Sequence, residues 1–372
     1  MLIGVLGAGQ LGRMLALAGI PLGLRFRFLD PTPGSPAGQV GEQVVGGFED
    51  DAAVRAFCTG LDVATWEFEN VPVATARRVA ERVPMFPPPL ALELGQDRLA
   101  EKELFREMGL EVHAYAAAGS GAEFEDAVRR VGLPVVAKTR RGGYDGKGQI
   151  VLREGAGAED VSAAWRSLGG VPALVEKFVP FEREVSVIAV RGRDGAFCAY
   201  PLMENVHRGG ILRVSRAPAP GWTREWQTRG EGYARAIMER LGYVGVLAIE
   251  FFVVGGELLA NEMAPRVHNS GHWTIEGAET SQFENHVRAV AGMPLGRTAP
   301  RGRSVMVNLI GDVPRVEEVL SAGGHLHVYG KTARAGRKVG HVTVCGEDGG
   351  RLEESAARVV ELAERAGAQV RA

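Results

Sequence analysis

Three consecutive prolines, Pro87-Pro88-Pro89, stop regular structure, and the 372-residue chain has a different character on either side of them. Upstream, short apolar runs alternate with helical segments. "LIGVLG" reads as a strand, followed by a glycine turn and the helical "LGRMLALAGI"; "RFRFLD" and "LDVATW" are later strands. Strands spaced by helices predict a parallel, helix-covered sheet. Between them "DPTPGSPAG" is expected to be a loop too irregular for strand or helix. Downstream of the prolines, Asp97 is placed to cap a helix with Leu104, Phe105 and Met108 inward, ended by Gly109. Beyond it, "LPVVAKT", "VPALVEKFV" and "REVSVIAVRGRDGAFCAYPL" are rich in β-branched residues and turns, and "RGRDGA" predicts an antiparallel hairpin. The chain therefore changes from α/β to α+β, and it is too long for one core. Near the C-terminus Ala356, Val359, Val360 and Ala363 share one face of a structural helix.

Charge and cysteine content narrow the function. The formal net charge of −2 gives no general pull toward nucleic acid or anionic membrane. No apolar run approaches the length of a membrane helix, and the opening "MLIGVLGAG" has no charged leader, so no secretory signal is expected. Cys58, Cys198 and Cys345 fit neither a zinc pattern nor a disulfide framework, which suits buried thiols in a reduced cytoplasm.

Two glycine-rich loops carry the first chemical signal. "GAGQLG" at 7–12, with Asp30 ending the second strand, matches the dinucleotide fingerprint of nicotinamide or flavin enzymes. Yet the motif requires only a tight turn and an exposed helix N-terminus, which accepts any phosphate. "TRRGGYDGKGQ" at 139–149 lets backbone N–H groups approach an anion, and Lys138 and Lys147 add charge. It is not a Walker loop. Strand-end main chain at "EKFV", 176–179, can read an adenine edge, and the Glu184 carboxylate can accept ribose hydroxyls.

Glu250 and Glu262 lie on two strands joined by a glycine turn, where paired carboxylates would hold Mg²⁺ beside phosphates. Side chains alternate along a strand, so the turn length decides their faces. A two-residue turn at Gly255-Gly256 would put the carboxylates on opposite faces. A three-residue turn, Gly255-Gly256-Glu257, would pair Val254 with Leu258 and set Glu250 opposite Glu262, and this longer turn is predicted. Directly after Glu262, Arg266, His268, Asn269 and His272 crowd together without zinc spacing, as an anion or transition-state clamp would.

Lys138, "GGYDGKG", "EKFV" with Glu184, and Glu250 with "NE" at 261–262 resemble the ATP-grasp superfamily. Within it, "GAGQLGRML", "WEFENVP", "QDRLAEK", "RRGGYDGKGQ", "NEMAPRVHNSGHW" and "GRKVGH" are similar to the N5-carboxyaminoimidazole ribonucleotide synthetase family of de novo purine biosynthesis, over nearly the whole chain. The resemblance implies a Rossmann-like domain at 1–97, a two-lobed ATP-grasp domain at 98–296 with a glycine-rich lid lobe at about 110–175, and a small C-terminal domain at 297–372. Arg98 and Lys138 would approach the ATP phosphates, covered by Gly143, Tyr144, Asp145, Gly146, Lys147, Gly148 and Gln149. Glu176, Lys177, Phe178 and Val179 would line adenine, Glu184 would take the ribose, and His207 would sit near the nucleotide. Glu250 and Glu262 would hold Mg²⁺, for which Mn²⁺ can substitute, with Asn261 beside them. Gln10, Leu11, Ser35 and Glu67 or Glu69 would face aminoimidazole ribonucleotide, joined by Tyr144, Lys147, Lys331, Arg337 and Lys338. Lys138, Arg266, His268 and Asn269 form the implied catalytic set, with Arg266 and His268 positioning bicarbonate.

In the implied reaction bicarbonate attacks the γ-phosphate of ATP, and the exocyclic amine of the ribonucleotide captures the resulting carboxyphosphate. A cytoplasmic homodimer using ATP and Mg²⁺, without NAD, FAD, nucleic acid or membrane, is expected. Val267 stands where family members often carry a second proline, and the residue before Lys331 is not the usual acidic one, which makes Lys331 a less secure assignment than Arg337. Three rival readings stay open. A formate-dependent glycinamide ribonucleotide transformylase would share most nucleotide residues. A dinucleotide-dependent oxidoreductase would use "GAGQLG" and Asp30 but leave Lys138, Glu250 and Glu262 unexplained. A non-catalytic module would bind ATP without turnover.

Overall fold

The computed structural model describes residues 1–143 and 148–370. Among these, the strands form three sheets. The first is parallel and contains β1 (Leu2–Leu6), β2 (Arg25–Asp30), β3 (Glu42–Val45) and β4 (Val63–Trp66), in the order β3-β2-β1-β4. β1 and β4 are buried throughout, as continuous apolar strands covered on both faces must be. The loop after β2 differs from expectation in one respect: Pro36–Gln39 forms a short 3₁₀ turn, because Pro36 supplies the fixed φ and the Ala37 N–H finds the Ala8 carbonyl at 2.9 Å.

Asp97 caps the helix Arg98–Glu107, accepting from the Leu99 and Ala100 N–H groups, and Gly109 ends it at φ 75°. The second sheet is antiparallel, β5 (Tyr115–Ala118), β6 (Val135–Thr139), β7 (Gln149–Leu152) and β8 (Ala173–Lys177), ordered β5-β8-β6-β7. Its own core of Phe124, Ala127, Val135, Ala137 and Val175 makes it a separate lobe.

The third sheet is the spine. It holds β9 (Arg183–Arg191), β10 (Phe197–Ala199), β11 (Met203–Arg208), β12 (Ile211–Ala217), β13 (Gly245–Val254), β14 (Glu257–Ala264), β15 (Arg303–Ile310), β16 (His325–Val328) and β17 (Lys338–Gly346). The order is β14-β13-β9-β11-β12-β15-β17-β16, with β10 paired to β9 through the expected hairpin. The C-terminal strands thus continue the sheet that carries Glu250, because β15 pairs with β12. The last helix, Gly349–Gln369, packs Leu352, Ala356, Val359 and Ala363 onto them, with Val360 at its margin.

The N-terminal unit is fastened to this spine. Helix Gln10–Gly19 shares a core with helix Gln282–Ala291 through Leu11, Leu15, Phe283 and Val287. Trp66, fully buried, donates its indole N–H to the Pro265 carbonyl at 3.0 Å. His286 accepts from the Val246 N–H at Nδ1 (3.1 Å), so its Nε2–H donates to Thr65 Oγ1 (3.0 Å).

Candidate active site

The carboxylate hairpin comes first, and it corrects the predicted turn. Val254 pairs with Glu257, so the turn has two residues. Glu250 nevertheless faces Glu262, because the register shifts by one residue between Glu250 and Phe251. Phe251 pairs with Ala260, which leaves Asn261 as a β-bulge. The extra residue does what a longer turn would have done. Burial, and then the adjacent Glu262, push the Glu250 carboxyl up to about 8. Two facing carboxylates that repel in this way have the donor chemistry of a hard-cation site. Asn261 Oδ1 is buried without a partner beside them. Among the described residues no third Asp, Glu, His or Cys completes a set.

Lys138 projects from β6 toward β8. Val136 and Lys138 oppose Glu176 and Leu174 across the ladder, so all four share one face, and Lys138 reaches Glu176 diagonally. Lys138 Nζ lies 2.6 Å from Glu176 Oε2. The other oxygen of Glu176 meets His113 Nε2 at 2.9 Å and Lys102 Nζ at 3.1 Å. Burial opposes charge on Glu176, yet Lys138 and Lys102 hold it well below the carboxylate range. Its side chain is therefore a buried counterion for Lys138, and only its main chain remains to meet adenine. The Lys177 side chain also turns away, donating to the Gly132 and Leu133 carbonyls at 2.8 Å. Phe178 is exposed, Val179 half-buried, and Phe181 stacks on Phe252 with ring centroids 4.5 Å apart.

The glycine-rich loop is anchored at its shoulders. Asp97 binds Arg140 (2.6 Å) and Arg141 (2.9 Å) besides capping its helix. Arg98 donates to the Thr139 and Gly143 carbonyls at 2.9 and 3.0 Å. Gly148 has φ +71°, and a Cβ there would stand 2.8 Å from Thr139 Oγ1. Gln149 follows it on β7, opposite Lys138. Tyr144, Asp145, Gly146 and Lys147, expected over the phosphates and the second substrate, lie outside the described residues. On β9 and β11, Glu184 and His207 face one another with Oε2 and Nδ1 2.5 Å apart. In this state the carboxylate expected at the ribose is held by the histidine.

After Glu262 the chain turns toward the N-terminal unit. Arg266 is paired through Nε with Glu69 and donates to the Val267 carbonyl at 3.0 Å. Burial would raise Glu69, but Arg266 keeps it below its ordinary value. His268 Nε2 lies 3.8 Å from Glu250, and its Nδ1 meets Ser270 Oγ at 2.8 Å. Burial and then Arg266 press its pKa well below the usual range, so it is neutral at pH 7. Ser270 in turn contacts Ser186 (2.9 Å), which accepts from Asn205 (2.9 Å). Asn269 has both side-chain amide atoms buried and unpartnered, as a group aimed at a ligand would. His272 instead packs against the buried His341, their rings tilted and 4.8 Å apart.

At the first glycine turn the two acidic candidates separate. Glu67 is buried inside the turn, accepting from the Gly9 N–H and from the Gly12 N–H at 2.6 Å. A Cβ at Gly9 would lie 2.7 Å from its Oε1. Asp30 accepts from Ala8 N–H (3.1 Å) and Thr32 N–H (2.8 Å). The pyrophosphate seat and the ribose acceptor of a dinucleotide site are both engaged within the chain. Leu11 is a core side chain, so only its main chain could meet the expected substrate, whereas Gln10 is half-buried at the helix start. Ser35 spends its hydroxyl on the Thr32 carbonyl at 2.6 Å. Burial raises the Glu67 carboxyl against a weaker opposing pull from Lys331, and Lys338 adds to the larger effect of Arg266 in lowering Glu69 and His268. Arg337 donates to Thr332 Oγ1 at 2.9 Å. Lys102 and His113 escaped sequence reasoning. Lys102 had a signal, since it falls one turn after Arg98 on the same helix face; His113 had none.

A small antiparallel lobe presenting a lysine, closed over a large sheet presenting paired carboxylates, defines an ATP-grasp site. An ATP-grasp domain model matches residues 103–283, a ribonucleotide synthetase preATP-grasp domain model residues 1–96, and a phosphoribosylaminoimidazole carboxylase C-terminal domain model residues 304–355. The chain belongs to the N5-carboxyaminoimidazole ribonucleotide synthase family. The synthase of Pseudomonas aeruginosa is 50% identical over 365 residues, covering 98% of this chain and 100% of its own. The crystal structure of the synthetase from Thermus thermophilus superposes with a TM-score of 0.92 at 58% identity, covering 97% of this chain and 98% of its own. The synthase of Aspergillus clavatus, solved with ADP and 5-aminoimidazole ribonucleotide, gives 0.89 at 29% identity over 98% of both chains.

Proposed function

We propose that the chain carboxylates 5-aminoimidazole ribonucleotide to N5-carboxyaminoimidazole ribonucleotide, consuming ATP and bicarbonate. The observation that carries this reading is the junction at Arg266. That residue follows the Glu250–Glu262 pair by four positions and is clasped by Glu69 of the N-terminal unit. A nucleotide site and a second, acid-lined cleft therefore meet at one half-buried guanidinium.

Bicarbonate oxygen attacks the γ-phosphorus, the bond to ADP breaks, and carboxyphosphate forms. The ribonucleotide amine then attacks the carboxyl carbon and phosphate leaves. Mg²⁺ held by Glu250 and Glu262 would neutralise phosphate charge and orient the γ-phosphoryl group. Lys138, kept charged and aimed by Glu176, lies against the phosphates. Arg266 and neutral His268 position bicarbonate, and Asn269 offers a donor and an acceptor between the clefts. Glu69 faces the ribonucleotide, while Glu67 shapes the turn beneath it. Lys331, Arg337 and Lys338 bind the ribonucleotide phosphate. The glycine-rich loop over 143–149 excludes water from carboxyphosphate.

The test measures ADP release and incorporation of labelled bicarbonate, with and without aminoimidazole ribonucleotide. Label entering the ribonucleotide one-for-one with ADP is expected. Turnover with formate and glycinamide ribonucleotide instead would establish the rival ligase. In thermal unfolding ATP should stabilise the chain and NAD(H) should not, since only a bound ligand shifts the transition. An equal shift with NADH would overturn the assignment of the first glycine turn.

A further inference from the structure

Residue Lys102 is almost wholly buried, at 1% exposure, on the helix Arg98–Glu107. A buried ammonium is tolerated only when its protons are all directed at acceptors. Its acceptors come from both lobes. Nζ donates to the Asn261 carbonyl at 2.7 Å and approaches the Ala260 carbonyl at 3.4 Å, both on β14 of the large sheet. It also lies 3.1 Å from Glu176 on β8 of the small sheet, whose second oxygen holds Lys138. The preceding residue, Glu101, accepts the Met263 N–H at 2.7 Å.

These contacts coincide with the bulge. A β-bulge leaves backbone groups without ladder partners, and an unsatisfied buried group is costly. Here the carbonyl of the bulged residue and the N–H two positions later are met by consecutive side chains of one helix. That bulge places Glu262 opposite Glu250. The same ammonium supports the counterion that orients Lys138. One atom thus touches the frame of the carboxylate pair and the frame of the phosphate lysine.

We infer that Lys102 is a positioning residue that holds the two halves of the nucleotide site in register, acting on ligand through Lys138 and the Asn261 bulge. This rests on the nucleotide-site reading above. It acts without touching substrate, and the small lobe depends on it for the placement of its lysine.

A double-mutant cycle with Lys102→Met and Lys138→Met tests it, read by calorimetry of ADP in metal-free buffer and by kcat. Lys102→Met should weaken metal-free ADP binding about tenfold and lower kcat more than it raises KM for the ribonucleotide. In the Lys138→Met background the same change should weaken ADP binding by less than about threefold, because the group it positions is gone. Multiplicative losses in the double variant would overturn the inference and leave Lys102 an ordinary stability residue. So would unchanged ADP affinity in Lys102→Met. If Lys102→Met does not melt cooperatively, Lys102→Gln enters the same cycle. It keeps one donor for the Asn261 carbonyl but no charge for Glu176, and the same non-additivity is required. Failure of the wild-type chain to bind ADP would refute the nucleotide-site reading itself, which separates the two failures.

Discussion

Glu262 and Glu250 show how little a single side chain decides alone. On the proposed reading, either becomes a ligand only because the other stands opposite. Glu262→Gln should cut turnover by at least about a hundredfold while metal-free ADP binding stays within about threefold, since removing one like charge costs the nucleotide nothing. Wild-type turnover in that variant would end the shared-cation idea. His286 makes a different kind of prediction. Burial lowers its pKa from 6.5 to about 4, and its neutral ring accepts one bond and donates another. A depressed histidine stabilises the fold fully above the unfolded pKa and loses that contribution as pH falls toward the folded one. The window is therefore about pH 6.5 to 4, and the full effect is at most roughly 3 kcal/mol. Melting temperatures of wild type should fall across that window, and His286→Gln should fall less steeply. Parallel curves would show that the ring's proton does not matter. His268, His272 and His341, also pressed well below the usual range, add to the wild-type slope.

Elements were legible where one local pattern decided them. The strand–turn–helix at the N-terminus, the Asp97 cap and the "RGRDGA" hairpin follow from short-range chemistry. The bulge at Asn261 did not, because no residue type there demands it; its need appears only when Lys102 and Glu101 arrive from another helix. The predicted turn was one residue too long and the assumed ladder one residue too regular, and the two errors cancelled. Likewise "GAGQLG" announces a close approach without saying what approaches. The occupant, Glu67, lies 55 residues beyond Gly12 in the chain. Gly9→Ala should be read accordingly. Its Cβ would press on the Glu67 carboxylate, so the variant should melt several degrees lower and raise the KM for aminoimidazole ribonucleotide, with ADP affinity unchanged. A larger effect on ADP than on the ribonucleotide, seen by calorimetry, would contradict this placement.

At the scale of the molecule the three sheets explain why distant segments serve one cleft. β15 and β17 extend the sheet that holds Glu250, so Lys338 at the start of β17, and the segment before it with Lys331 and Arg337, are carried on the same sheet as the carboxylate pair. Arg337→Ala should raise the KM for the ribonucleotide tenfold or more, on the order of 1.4 kcal/mol, with the KM for ATP changed less than about threefold. Equal losses would mean that this segment is no private clamp. Cutting the chain at residue 296 should not yield a free nucleotide-binding unit. It would bare the β12 edge and the apolar surface beneath Met306, and the fragment should aggregate in gel filtration. A soluble monomer would show the C-terminal strands to be dispensable. The sheet continuity was invisible in sequence because β12 and β15 are separated by more than 80 residues, and period-two patterning does not name a partner. The filled glycine turn has a consequence for the cell as well. Glu67 already meets the Gly9 and Gly12 N–H groups from within the same chain, so a diffusing anion would have to displace an intramolecular partner. Swings in the ratio of oxidised to reduced dinucleotide should therefore leave carboxylation of the ribonucleotide unchanged, and rates measured at opposite ratios check this.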